Sequence, residues 1–425
     1  MQDGSTGVGY PKSNRVAPVT KPAAEIHVPL YRQILFWPLM LKKQPATEGS
    51  GPQLEEWLKA LEINWGKPVA TLPSYVTPAM GDEISFEEIV YFHPFVRDFL
   101  YGDGDPTTDN TLRRLRRFDV IAVKIQPSSS GLTISLDVAR LELYLCKPLV
   151  ALMVIEVHNP IRSDGAEFTL ADAQMLQSHL RQVHPPFFFP SDAPGNCPHA
   201  VTFETINGEF RSDFDAGRDH FAKFTHLGAE PPVASHWKSL LDPLKPFPGS
   251  LKDERGNYTP QGTGLFYQQI EDDRMPGMTL LTVQNPRDIS DGDYDRLTWC
   301  DTPGNRQFPY AGDFLNMRRS AHVYDRFWDG REAVPPDDYD TRYLCSGYQF
   351  VMVGRDGNTD IRGFLWDHFR RHYFRIGLIL HCQRSVLLKF QDELSEAVKL
   401  ISGQSTTECM AFVLRMASHC SRRLP

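Results

Sequence analysis

The composition of this chain is that of an ordinary globular protein. It has 425 residues, of which 41% are hydrophobic, and a formal net charge of −8. A chain of this length can bury a sizeable core, whereas the net negative charge excludes a global attraction to nucleic acid or to an anionic membrane surface. Its seven cysteines include no C-x-x-C pair. We therefore expect reduced thiols rather than a disulfide framework or a zinc knuckle.

The N-terminal residues 1–25 are predicted to be a disordered lead-in. They lack the apolar core of a signal peptide, and no segment of the chain reaches the roughly eighteen consecutive apolar residues that span a bilayer. The chain as given is therefore predicted to be cytoplasmic.

A strand-rich region follows an apolar segment, IHVPLYRQILFWPLML, and a first helix predicted over residues 54–61. FDVIAVKIQ and LTISL are separated by PSSSG, and Leu141, Leu143 and Leu145 then alternate with polar residues. The run LVALMVIEV is apolar on both faces, which is typical of a central strand. Because the connections are short, we predict an α+β fold with a mostly antiparallel sheet flanked by helices.

Other segments are predicted to surround this sheet. Thr169 and Asp172 form a capping box, T-L-A-D, before an amphipathic helix. Residues 190–262 are rich in Pro, Gly, Asp and His and are predicted to be long loops or an insertion with one strand-like island, VTFETI. The basic run 113–117 is interpreted as a solvated helix face. A helix is also predicted over residues 313–328.

We expect six apolar side chains to be buried together: Leu141, Leu143, Leu145, Leu152, Val154 and Leu176.

The chain is organised around a proline-free stretch, residues 361–401. Its apolar residues step by three, four or seven, which predicts one amphipathic helix roughly 60 Å long. These residues are Leu365, Phe369, Ile376, Leu380, Leu387, Phe390, Leu394, Val398 and Ile401. The predicted domains are therefore the lead-in, an α/β domain over 26–358, a long helix over 359–402 and an atypical tail over 403–425.

Two groups of residues are candidate metal ligands. Asp291, Asp293 and Asp295 lie in the acidic stretch DISDGDYD, and carboxylate oxygens suit a hard cation such as Mg²⁺. His368 and His372 lie four apart on the long helix, a spacing that lets two imidazoles share a metal ion. The alternatives are a solvated acidic turn and ordinary histidines on a helix surface.

Motifs for other cofactors are missing from the sequence. It contains no Walker A loop, no G-x-G-x-x-G that opens a helix and no G-x-S-x-G. We therefore predict no nucleotide or flavin cofactor and no enzymatic activity. A soluble metal-dependent hydrolase that uses His368 and His372 with nearby aspartates remains an alternative, as does a non-enzymatic interaction module.

The order of the segments resembles that of divergent bacterial CorA-like magnesium-transporter proteins. The resemblance covers residues 26–400 and rests on FDVIAVKI, RLELYLCKPLVALMVIEV, the T-L-A-D helix that ends in HPP, HVYDRFWD, TRYLCSGYQFVMVG and FRRHYFRIGLILHCQRSVLLKF. It implies a cytosolic regulatory domain that feeds a long stalk helix, with relatives in the bacterial inner membrane. It also implies a divalent cation, Mg²⁺ or another, as ligand.

The resemblance has a limit at the C-terminal end. The Gly-Met-Asn pore signature and the two apolar spans of that family are absent. We therefore expect a truncated or frameshifted chain that reaches a membrane only through missing downstream segments and is not transport-competent as given. The long helix is expected to form a homo-oligomer, and an interface is predicted at Leu387, Phe390, Leu394 and Val398.

Overall fold

A computed structural model gives the fold of this protein. It describes residues 21–44, 54–69, 92–101, 112–147, 149–185, 197–214, 233–248, 250–252, 258–260, 263–270, 274–304, 324–328, 341–357 and 364–402. Most of the predicted lead-in and all of the predicted tail, residues 403–425, lie outside these ranges.

Strands account for about half of the described chain between residues 30 and 355. They are β1 (Leu30–Gln44), β2 (Leu112–Arg116), β3 (Val120–Gln126), β4 (Ile134–Cys146), β5 (Val150–Arg162), β6 (Ala200–Thr205), β7 (Gly208–Asp213), β8 (Lys245–Pro246), β9 (Ser250–Lys252), β10 (Tyr258–Pro260), β11 (Gly264–Gln269), β12 (Gly277–Val283), β13 (Tyr324–Trp328), β14 (Thr341–Cys345) and β15 (Gln349–Arg355). The helices are α1 (Leu54–Trp65), α2 (Pro94–Tyr101), α3 (Leu170–His179), α4 (Ser235–Leu241), α5 (Asp291–Trp299), α6 (Phe364–His368) and α7 (Phe374–Ser402).

One sheet of 13 strands forms the centre of the molecule, and its main path runs β13-β14-β15-β12-β1-β5-β4-β3-β6-β7. The pairs β12–β15 and β8–β11 are parallel, and the other pairs in this sheet are antiparallel. The 15-residue strand β1 pairs with β5, β11 and β12. The prediction of an α+β fold with a mostly antiparallel sheet is therefore confirmed.

Both faces of the sheet are covered, which divides the predicted core in two. Leu141, Leu143, Leu145 and Leu176 belong to the apolar cluster on one face. Leu152 and Val154 are equally buried but belong to the cluster on the opposite face. The reason is the β4–β5 register, in which residue 143 pairs with residue 153 rather than 152, because side chains paired across two strands share a face.

Three segments differ from the sequence-based expectation. Residues 200–213 form the β6–β7 hairpin that extends the sheet from β3. Strand β6 coincides with the predicted strand-like island VTFETI, whereas β7 lies where loops were predicted. The basic run predicted as a helix face contains strand β2, which pairs with β4. The predicted helix over 313–328 is a strand at its described end, Tyr324–Trp328. For β2, pairing with β4 outweighs the local preference that its charges suggest.

The predicted long helix is present at the C-terminal end. It begins as α6, passes through a π-helical turn over Phe369–Tyr373 and continues as the 29-residue helix α7. The prediction that residues 376–401 form a single helix is confirmed. Among the described residues, no helix is both long enough and apolar enough to cross a bilayer.

Candidate functional site

The three candidate aspartates lie at the start of α5, where they have structural partners. Ser290 caps this helix through the backbone N–H of Asp293, and the buried carboxylate of Asp293 accepts hydrogen bonds from Ser290 Oγ at 2.6 Å and from Gln174 Nε2 at 3.2 Å. Asp291 forms an ion pair with Arg342 at 3.2 Å. Asp295 is also buried, at 2% exposure. All three therefore lie on a capped helix, in which Asp293 and Asp295 are buried and Asp291 is 65% exposed.

His368 and His372 lie on either side of the junction between α6 and the π-helical turn. Their ring centroids are 5.8 Å apart in an edge-to-face arrangement. His372 also stacks on Phe92 at 6.0 Å, and both rings lie near Tyr373. Throughout the described ranges, no group of three His, Cys, Asp or Glu side chains is arranged to hold a metal ion.

A buried charge cluster joins this helical segment to the sheet. Glu156 on β5 is fully buried and forms ion pairs with Arg32 on β1, with Arg140 on β4 at 3.0 Å and with Arg370 of the π-helical turn at 3.4 Å. Burial, followed by the charges of Arg370 and Arg140, lowers the pKa of Arg32 to about 9. One carboxylate thus holds three guanidinium groups from three separate elements.

A second carboxylate extends the cluster towards β2. Glu142 forms an ion pair with Arg114, accepts a hydrogen bond from Tyr144 Oη at 2.5 Å and lies 3.9 Å from Arg116. Burial raises the pKa of Glu142, but the charges of Arg140 and Arg114 and these hydrogen bonds outweigh that effect and lower its pKa overall. The carboxylate is therefore charged at neutral pH.

Aromatic contacts strengthen the attachment of the helical segment. The Arg32 guanidinium lies 3.9 Å from the centroid of Trp366 on α6, and that of Arg140 lies 4.1 Å from the centroid of Phe374 at the start of α7. This cluster was not predicted from the sequence. Arg140 and Glu142 alternate with apolar residues on β4, a pattern that is also typical of a solvent-exposed strand face. Only the helical segment packed on this face shows that the charges are buried.

The first half of α7 packs on the sheet through one face only. Phe374, Leu378 and Cys382 are buried, and Phe36 of β1 lies 5.9 Å from the ring of Phe374 and 4.8 Å from that of His381. Gly377 permits this approach, because a Cβ atom at that position would lie 3.1 Å from Phe36 Cζ and 3.2 Å from Met278 Sδ. Further along α7, Asp392 still lies beside β1, with its carboxylate 3.7 Å from Lys42 Nζ.

A different face of α7 carries an exposed apolar stripe that includes the predicted interface. Leu387 is 68% exposed and Leu394 is 61% exposed, although both are large apolar side chains. The stripe consists of Ile376, Leu380, Leu387, Phe390, Leu394 and Val398. Within the described part of the chain, β1 covers the opposite side of α7 and leaves the stripe accessible. The arrangement can present an apolar helix to a partner.

Comparison with known proteins found no match: no family model, no curated protein and no solved structure is significantly similar to this chain.

Proposed function

We propose that this chain is a non-catalytic regulatory domain of the CorA-like type that associates with further copies of itself through α7. The observation that carries the proposal is the exposed stripe. Contiguous exposed apolar surface of this kind usually marks an interaction site. The helix is about 44 Å long at 1.5 Å per residue, which is long enough to act as a stalk.

The spacing within the stripe supports another helix as the partner. Leu380, Leu387 and Leu394 recur every seven residues, Phe390 lies between the last two, and Ile376 lies four residues before Leu380. This heptad pattern is typical of helices that pack side by side. A second copy of α7 offers the same pattern, so each exposed leucine meets an apolar surface of matching period.

The energy available from this contact is large enough for stable association. Full burial of a leucine or isoleucine side chain contributes about 1.5–3 kcal/mol. The stripe offers six apolar side chains per copy, each between 37% and 68% exposed. The free energy of association gained by burying the whole stripe is therefore larger than that from a single exposed leucine. It stays larger after the entropy lost on association is subtracted.

The buried charge cluster supports a regulatory role for the same helix. It ties the π-helical turn that leads into α7 to β1, β4 and β5, so a change in the sheet is transmitted to the helix through the ion pairs of the buried Glu156. In the proposed assembly, a ligand that favours one arrangement of the sheet shifts the packing of neighbouring copies of α7. The proposed ligand of the CorA-like type is a divalent cation.

Association is tested by light scattering coupled to gel filtration on the whole chain and on two variants, Leu387→Glu and Leu394→Glu. We expect the wild type to associate in a concentration-dependent way and both variants to be monomeric with unchanged circular dichroism. The matched control is Ile63→Glu, because Ile63 is 82% exposed on the separate helix α1. A monomeric wild type, or variants that associate like the wild type, would contradict the proposal.

Two further measurements test the CorA-like arrangement. Stalks packed in parallel bring two copies of residue 394 together, so Leu394→Cys should form an intermolecular disulfide that the wild type, with its native cysteines, does not form. If disulfides form efficiently only when the Leu380→Cys and Leu394→Cys variants are mixed, the helices are antiparallel, which would contradict the CorA-like arrangement. Millimolar Mg²⁺ should change the association constant, and an unchanged value would count against a cation-sensing role.

A further inference from the structure

A cavity of 430 Å³ lies between the first turns of α7 and the turn that joins β14 to β15. This volume falls within the range of about 300–1,000 Å³ that is typical of small-molecule sites. The cavity is separate from the buried charge cluster, because none of the arginines and glutamates of that cluster lines it.

The walls of the cavity are mainly apolar. They come from three parts of the chain: the start of β12, the strand β15 and its preceding turn, and the α7 region. The main apolar contributors are Met278, Phe350, Tyr373, Ile376 and Leu380. Such a lining favours the hydrocarbon part of a ligand over a fully polar molecule.

One end of the cavity is polar. His381 and Arg384 lie almost one helical turn apart on α7, and both line it. Burial, followed by the charge of Arg384, lowers the pKa of His381 to about 4, so this imidazole is neutral at pH 7. Its Nδ1 atom is buried and has no hydrogen-bond partner in the described part of the protein. Because this atom is not accessible from the cavity, the ring can donate a hydrogen bond to a ligand there only through Nε2.

We propose that the cavity binds a small amphipathic carboxylate. Its hydrocarbon chain lies against Met278, Phe350 and Tyr373, and its carboxylate is held by the guanidinium group of Arg384 and by an N–H of the neutral His381 ring. The argument for an acid rather than a neutral molecule is that Arg384 brings a full positive charge to the polar end. A neutral histidine can donate one hydrogen bond without adding a second charge.

The inference goes beyond the proposed function and does not depend on it. Ile376 and Leu380 belong both to the cavity wall and to the exposed stripe, so a second copy of α7 could cover the entrance. Binding is therefore measured in the wild type and also in Leu394→Glu, which changes the stripe at a residue that does not line the cavity.

The test is isothermal titration calorimetry with decanoate, below the concentration at which it forms micelles. We expect saturable binding with one decanoate per chain in Leu394→Glu, and about tenfold weaker binding of decanol, which has the same chain without the charge. Arg384→Gln should weaken decanoate binding about ten- to a hundredfold, since a hydrogen bond to a charged group is lost. Arg375→Gln on the same helix is the matched control and should leave the affinity unchanged, because Arg375 does not line the cavity.

A second variant tests the location by filling the space. Ile376 is partly exposed at the cavity, so Ile376→Trp should be tolerated by the fold while it blocks the hydrophobic part of the site and abolishes binding. Absence of decanoate binding in both wild type and Leu394→Glu would overturn the inference. Binding that survives Ile376→Trp, or that is equally strong in Arg384→Gln, would also overturn it by assigning the ligand to another surface.

Discussion

The buried carboxylate of Glu156 offers the most direct test of how the helical segment is attached to the sheet. Replacing it by glutamine keeps the shape of the side chain and removes its charge. Arg32, Arg140 and Arg370 are then left without their shared counter-ion in a place where Glu156 itself is fully buried. We expect Glu156→Gln to lower the free energy of unfolding strongly.

The magnitude follows from the burial of the pair. Removing one partner of a buried ion pair costs about 3–5 kcal/mol, because the remaining charge stays desolvated without compensation. The stability of a typical domain is about 5–15 kcal/mol, so the expected loss is about a fifth of the total or more. Arg32 and Arg140 cannot escape to solvent easily, since their side chains are 4% and 16% exposed. Arg370 is more exposed and can turn towards solvent, so we expect a cost near the lower end of the 3–5 kcal/mol range.

Urea unfolding followed by circular dichroism measures this loss. The matched control is Glu204→Gln, whose carboxylate pairs with Lys124 at the surface and is 30% exposed. A surface pair of this kind contributes about 0–1 kcal/mol, so the control should unfold almost like the wild type. If Glu156→Gln loses no more than the control does, the charge cluster is not what fixes the helix on the sheet.

Three further changes test other parts of the fold. Leu143→Asp should cost more than about 4 kcal/mol, because it places an unpaired charge at a position that is 1% exposed; an unchanged melting temperature would contradict the core assignment. Gly277→Ala should cost about 1–3 kcal/mol, since the new Cβ would lie 2.8 Å from Oε1 of Gln349, whereas Gly347→Ala has no neighbour within 4 Å and should be close to neutral. Burial lowers the pKa of His236 from 6.5 to about 3, so the unfolded chain binds a proton that the folded chain does not. Stability should therefore fall as the pH decreases from about 6.5 towards 3, by up to roughly 4–5 kcal/mol at the acid end. His236→Asn should flatten that slope, and an identical slope in the variant would refute the assignment.

Local patterns in the sequence were sufficient to predict several elements. The T-L-A-D motif at Thr169 predicted a capping box, and the structure has both of its reciprocal hydrogen bonds. The spacing of Trp57, Leu58 and Leu61 predicted α1, and these side chains are buried. The long helix was predicted from its period and its lack of proline. In these cases the signal lies within a few turns of one element, where spacing alone decides which side chains share a face.

The pairing of distant strands was not available from local patterns. The run at Arg113–Arg116 has the charge of a solvated helix, yet it forms β2 because β4 supplies the backbone partners. Leu152 and Leu143 look equivalent in sequence, but a register fixed across β4 and β5 places them on opposite faces of the sheet. A shift of one residue would exchange the faces, so only the assembled sheet decides the outcome.

The candidate site also has one feature that the sequence predicted and one that depends on tertiary packing. The stripe was predicted from the three-, four- and seven-residue steps of its apolar residues, among them Leu380, Leu387 and Leu394. The face with Phe374 and Leu378, which packs on the sheet, was not predicted. Which face β1 covers depends on tertiary packing, because two apolar faces of one helix compete for the same sheet. The close approach of Phe36 to Gly377 places the face with Phe374 and Leu378 on the sheet, and the stripe is exposed within the described part of the chain.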